Sequence, residues 1–165
     1  MSKTLYLIRH ADAEDGQGMS DKQRHLSSKG REQSAALAKL MRDQDLSCDY
    51  ALLSSSNRTV ETFDHMGVDI DSEKLDGLYN GTPEDYLDAM HMVDDRYDDV
   101  MMIGHNPTCA MLAIQLAVEG TPADLIAIRA GFKKSQCAVL HFSVENWADV
   151  KPRQGYLSEL LLPKV

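Results

Sequence analysis

Cysteine is scarce in this chain: three in 165 residues, Cys48, Cys109 and Cys137. An odd, widely spaced set builds neither a disulfide framework nor a zinc site, so small buried thiols in a reducing compartment are expected. Long apolar runs are missing too. No stretch approaches the ~20 residues of a membrane span, and the first residues lack the three regions of a signal peptide. The expectation is a cytoplasmic protein with no membrane partner. Positive charge is in deficit, with 17 Lys and Arg against 26 Asp and Glu and a net charge of −9. Nucleic acid, which needs a basic face, is not an expected partner. An anionic substrate remains compatible, because local pocket charge matters more than the total. No two of the six histidines have the i, i+4 spacing of a helical metal pair. Neither a metal nor another cofactor is expected.

The length suits one domain, residues 1–165, burying roughly 70% of the surface its unfolded chain exposes. The apolar run Leu5 to Ile8 ends abruptly in Arg9 and His10, and Val100 to Ile103 ends in Gly104-His105-Asn106-Pro107. Both runs read as buried strands, the first spanning Thr4 to Ile8. Ligands of an open α/β sheet bind beyond the carboxyl ends of its strands. Both histidines therefore reach the edge where a phosphate-sized anion would dock.

Between them, Asp12 to His25 reads as a surface loop. Ser27 or Ser28 caps a helix with Ala35, Leu37, Ala38, Leu40 and Met41 at apolar spacing. Tyr50 to Leu53 is a second strand, and a helix from Asn57 carries Val60, Phe63 and Met66. Asp69 to Thr82 is irregular, with room for a short strand. Thr82, Pro83, Glu84 and Asp85 start a helix whose apolar face is Tyr86, Leu87, Met90 and Val93. Pro107 opens another, to about Ala117. Ala127-Ile128 and Ala138 to Phe142 read as later strands, and Leu157, Leu160, Leu161 and Leu162 are expected to pack back on the body. Strands alternating with helices predict a layered α/β sheet.

Arg9, His10, Arg58 and His105 are the candidate site. Phosphoryl transfer spreads charge over three equatorial oxygens and needs positioning and positive donors. Arginine supplies a planar fork matched to phosphate. A histidine neutral at one nitrogen, with the other held by a hydrogen bond, is a nucleophile.

These residues resemble the histidine phosphatase superfamily, with its phosphoglycerate mutase-like fold. Its Arg-His-Gly signature stands here as Arg9-His10-Ala11. The Ser-Pro-x-x-Arg-Ala-x-x-Thr block stands as Ser54 to Thr62, and Gly-His-Asn-Pro as Gly104 to Pro107. A Leu-Thr-x-x-Gly-x-x-Gln segment stands as Leu26 to Gln33. The short chain and the turn Asp21-Lys22-Gln23-Arg24-His25-Leu26 are similar to the compact SixA-type branch, the phosphohistidine phosphatases. The resemblance implies a three-layer α/β/α sandwich with a mostly parallel sheet. It implies that His10 is the nucleophile of a phosphohydrolase that forms a phosphohistidine enzyme. Arg9, Arg58 and His105 would bind phosphate, with Arg24 reaching it from the loop.

Three positions depart from the family pattern. Ala11 replaces glycine and Ser55 replaces proline. Gly77 falls where the mutase branch carries its glutamate acid, leaving Asp12, Asp76 and Glu84 as substitutes. A missing acid suits phosphohistidine, whose P–N bond breaks readily once the imidazole is protonated. The expected substrate is therefore a phosphorylated protein, such as a histidine phosphotransfer domain, with a small phosphomonoester as the second choice. A catalytically silent phosphopeptide-binding module is the alternative from another class, and retention of His10 counts against it.

Overall fold

Alternate residues along the central strands face opposite layers, and the two sets build two cores. In the computed structural model, which describes residues 2–165, the strands are β1 (Lys3–Arg9), β2 (Tyr50–Ser54), β3 (Asp71–Leu75), β4 (Asp99–Gly104), β5 (Ala117–Gly120), β6 (Cys137–Phe142) and β7 (Gly155–Leu161). The helices are α1 (Ser28–Asp43), α2 (Asn57–Met66), α3 (Pro83–His91), α4 (Thr108–Leu116) and α5 (Pro122–Ala130). Tyr6, Ile8, Ala51, Leu53, Met101 and Ile103 meet Leu37, Ala38 and Met41 of α1 and Met66 of α2. Leu5, Leu7, Leu52, Val100 and Met102 meet the helices of the other face, through Tyr86, Met90, Leu112, Leu116 and Ile128. Strands buried on both faces read as continuous apolar runs, which is how β1 and β4 stand in the sequence.

The sheet order is β3-β2-β4-β1-β6-β7-β5. Only β6 runs against the rest, since it pairs antiparallel with both β1 and β7 while the other pairings are parallel. The architecture is the expected α/β/α sandwich with a mostly parallel sheet.

Four local expectations are corrected. Ala127-Ile128 lies in α5, not in a strand. Thr121 caps that helix by accepting from the Asp124 N–H at 3.2 Å, and Pro122 sits at its first position. These start signals outweigh the strand preference of isoleucine. The strand of this region is β5, which pairs only with β7 and has an exposed Val118-Glu119 centre that carries no apolar signal. In α1 the buried positions include Gly30 and Ser34, while Ala35 is exposed. In α2 they are Arg58, Thr59, Thr62 and Met66, with Val60 and Phe63 half-buried. In the tail Leu157 and Leu161 are buried, but Leu162 is exposed.

The segment Leu26 to Gln33 straps down the chain just past His10. Ser27 caps α1 by accepting from the Gly30 N–H at 3.0 Å, and its hydroxyl donates to Asp12 Oδ2 at 2.6 Å. Gln33 Oε1 accepts from the Asp12 N–H at 2.9 Å. Gly30 is needed for close approach: a Cβ there would meet the Asp12 carbonyl, with that carbon at 2.9 Å. For Gly30→Ala, helix propensity alone favours the variant by about 1 kcal/mol. Backbone overlap costs roughly 1–3 kcal/mol in a packed interior and wins. The urea midpoint of Gly30→Ala is therefore expected to fall; a rise would show that the Asp12 segment yields freely.

Candidate active site

β1 and β4 are adjacent and parallel, with Arg9 opposite Gly104. His10 and His105 each follow by one residue, and the His10 N–H bonds the Gly104 carbonyl at 3.0 Å. The two imidazole rings lie 5.3 Å apart, tilted by 59°. They line a cleft of about 430 Å³ together with Arg9, Arg24, Arg58 and Lys134. No acidic side chain lines it among the described residues. A chain of net charge −9 has thus gathered four cations around two histidines, a setting for a multiply charged anion.

His10 is 8% exposed. Its Nδ1 lies 2.7 Å from the Ala11 carbonyl. A carbonyl only accepts, so Nδ1 carries the proton and Nε2 keeps its lone pair. Burial pushes the imidazole pKa down to about 3. The bond to Ala11 opposes that shift, and His105, Arg58 and Arg9 add to it. His10 is therefore neutral at physiological pH.

His105 Nε2 is 2.7 Å from the Ser54 hydroxyl, and its Nδ1 is buried without a partner. With the Ser54 hydroxyl donating to Nε2, the ring proton stands on Nδ1, a donor that no protein group takes up. Burial, with Arg58 next, lowers this imidazole to about 4. The Tyr86 hydroxyl accepts from the His105 N–H at 3.1 Å and donates to the Leu78 carbonyl at 3.0 Å. Its ring carbons would lie 2.7 and 2.8 Å from a Cβ at position 104, which is why that residue is glycine.

Arg58 opens α2 and is 7% exposed. The Thr62 hydroxyl donates to the Arg58 carbonyl at 2.7 Å and accepts from the Ala11 N–H at 3.0 Å, tying α2 to the His10 segment. Arg9 donates to the Phe132 carbonyl at 2.9 Å. Arg24 donates through Nε to the Glu14 carbonyl at 2.8 Å, which brings it from the loop to the cleft wall.

The structure thus brings together Arg9, His10, Arg24, Arg58 and His105. It does not place Asp12 as an acid. Its carboxylate accepts from the Lys134 ammonium at 2.6 Å and from Ser27, and these bonds hold its pKa below the usual carboxylate range. An ionised acceptor has no proton to give, and Asp12 does not line the cleft. Asp76 and Glu84 are exposed and also lie outside the lining. Sequence reading missed Ser54, Tyr86 and Lys134. Ser54 heads the block Ser54 to Thr62, which was its one available signal. Lys134 had none, being a loop lysine far along the chain from His10.

Both site histidines have folded pKa values below the ordinary 6.5. The unfolded chain then binds more protons between about pH 4 and 6.5, so stability falls as pH drops through that window. Each group contributes a slope of up to about 1.4 kcal/mol per pH unit. Thermal midpoints of wild type are expected to decline more steeply from pH 6.5 to 4.5 than those of His10→Asn/His105→Asn. Parallel profiles would show that the histidines are not buried in their neutral form.

Residues 5–81 match the profile of the histidine phosphatase superfamily (branch 1). An uncharacterised protein of Mycobacterium tuberculosis (strain H37Rv) is 31% identical over 159 residues, covering 95% of this chain and all of that protein. The structure of a candidate phosphohistidine phosphatase SixA from Agrobacterium tumefaciens is similar with a TM-score of 0.78 and 28% identity, covering 98% of this chain and 99% of that one. The SixA of the same description from Nakamurella multipartitia has a TM-score of 0.89 at 24% identity, covering 100% and 98%, and shows the shared fold.

Proposed function

The chain belongs to the histidine phosphatase superfamily, in its SixA-type branch, and is a phosphatase; from that premise we propose that it hydrolyses protein phosphohistidine through a covalent intermediate on His10. The observation that carries the proposal is the hydrogen bond from His10 Nδ1 to the Ala11 carbonyl at 2.7 Å. It leaves a neutral Nε2 lone pair inside a cationic cleft.

The lone pair of His10 Nε2 attacks phosphorus. A P–N bond forms as the substrate's own P–N bond breaks, and the breaking pair goes to the substrate imidazole. If that ring already carries a proton on its other nitrogen, it departs neutral and needs no acid from the protein. Arg9, Arg24, Arg58 and His105 Nδ1 meet the charge of the transferring oxygens. Water then attacks the phosphohistidine on His10. Inorganic phosphate leaves, the water proton passes to phosphate or solvent, and the neutral imidazole returns.

The lack of a carboxyl group in the cleft lining among the described residues favours this substrate over an alkyl phosphate. An alkoxide is a poor leaving group without a proton donor, and general acid catalysis is worth roughly 10²–10⁴-fold. The likeness to the Agrobacterium protein supports the same choice. We place the protein in the cytoplasm, a reading that its three free cysteines fit and that no membrane-crossing helix among the described residues opposes.

The kcat/KM for a phosphohistidine peptide is expected to exceed that for a simple alkyl phosphate by at least about 100-fold, the lower end of what an acid supplies. Comparable turnover of the two would show that a proton donor reaches the leaving group and would favour the small phosphomonoester as substrate.

A further inference from the structure

One carboxylate stands among the cations of this site without belonging to the reacting set. Asp21 opens the single helical turn Asp21–Gln23 in the loop that follows His10. Its Oδ1 accepts from Arg24 at 3.0 Å, and its Oδ2 accepts from Arg58 at 2.9 Å and from the Tyr79 hydroxyl at 2.6 Å. Its backbone carbonyl takes a second Arg58 N–H at 2.8 Å. One residue thus joins the loop, the start of α2 and the segment after β3.

The geometry at Arg58 decides what this contact does. A guanidinium carries five N–H groups. Asp21 takes one from each terminal nitrogen and leaves the Nε–H and two others for a ligand. The arginine is therefore oriented and not consumed. Tyr79 in turn orients Asp21, and its ring centroid lies 5.6 Å from that of His105 in an edge-to-face arrangement. The Gln23 carbonyl accepts from the Asn57 side chain at 2.8 Å, which docks the same turn onto α2.

We propose that Asp21 is a positioning residue: with Tyr79 it clamps Arg58 and Arg24 so that their free N–H groups meet the phosphoryl oxygens. The proposal rests on the phosphatase reading above and adds to it the residue that prepares the phosphate cradle. A negative charge near the cleft also repels phosphate, and the two effects oppose each other. The Asp21 side chain is 51% exposed, so water and salt screen its action at a distance. The Arg58 side chain is 8% exposed, and its bonds to Asp21 are direct and charge-assisted. Orientation therefore wins over repulsion.

The test titrates inorganic phosphate into the intact protein by calorimetry, beside kcat/KM for p-nitrophenyl phosphate. For Asp21→Asn the phosphate Kd is expected to rise on the order of tenfold, with a matching fall in kcat/KM. Tyr79→Phe, which removes one hydroxyl, is expected to move both in the same direction by a smaller factor. It provides the reading if Asp21→Asn does not fold. In an Arg24→Ala/Arg58→Ala background, Asp21→Asn is expected to change phosphate Kd by less than about twofold, because both arginines that it orients are gone. A purely structural role would give the same loss in both backgrounds, and that result overturns the proposal. So does tighter phosphate binding by Asp21→Asn, which would make the carboxylate a competitor of the ligand. Phosphate binding is read without turnover. A wild type that binds phosphate but cleaves no substrate contradicts the phosphohistidine reading while leaving the role of Asp21 measurable.

Discussion

The parallel pairing of β1 with β4 is the constraint on which the site depends. Arg9 lies opposite Gly104, so the residues after each strand, His10 and His105, emerge side by side. Strand register has a period of two, and a slip of one residue would turn the buried faces of both strands to the wrong layer. The two apolar cores therefore enforce the distance between the imidazoles. Burial beneath those layers also removes solvent from His10, and that is the main reason it stays neutral. The stability of the sheet and the protonation state of His10 thus have one cause.

Around this pair, the fold keeps its cations ready. Arg58 and Arg24 are held by Asp21, and Lys134 is held by Asp12. Unpaired cations gathered in a cleft would repel one another, and flexible ones would lose entropy on meeting a ligand. Anions placed behind them offset the first cost and much of the second. The scheme explains why Asp12, a substitute acid expected from sequence, is better read as a support. A carboxylate held ionised by a lysine or an arginine is an acceptor, and its value lies in the orientation of its partner.

Much of this was legible in the sequence, because the informative elements carry local signals. β1 and β4 are continuous apolar runs that stop at histidines. Of the two caps that the sequence offers for α1, Ser27 and Ser28, the structure uses Ser27, and Thr82 caps α3 as expected. The failures have physical causes. Strand β5 is short and exposed at its centre, so burial left no pattern in it. Helix α5 contains isoleucine and alanine in a short stretch that reads as either element, and only the Thr121-Pro122 start decides. The buried face of α2 is polar because Arg58 reaches the cleft while Thr59 and Thr62 are hydrogen-bonded to the Ser54 carbonyl and the Ala11 N–H, and an apolar-periodicity argument turns such a helix the wrong way. Lys134 and Tyr86 reach the cleft by tertiary contact alone. Asp12 stands two residues past His10, and proximity along the chain suggested a role that Ser27 and Lys134 take away.

The most direct measurement is trapping of the phosphorylated protein. Wild type and His10→Ala would each be mixed with ³²P-labelled phosphohistidine peptide in the presence of EDTA, quenched, and assayed for label on the protein and for free phosphate. The account predicts acid-labile, base-stable label on wild type only, with phosphate released. Label on His10→Ala, or release of phosphate by that variant at the wild-type rate, would contradict His10 as nucleophile. Tight binding of the peptide by wild type with neither label nor release would mark the protein as a phosphopeptide-binding module.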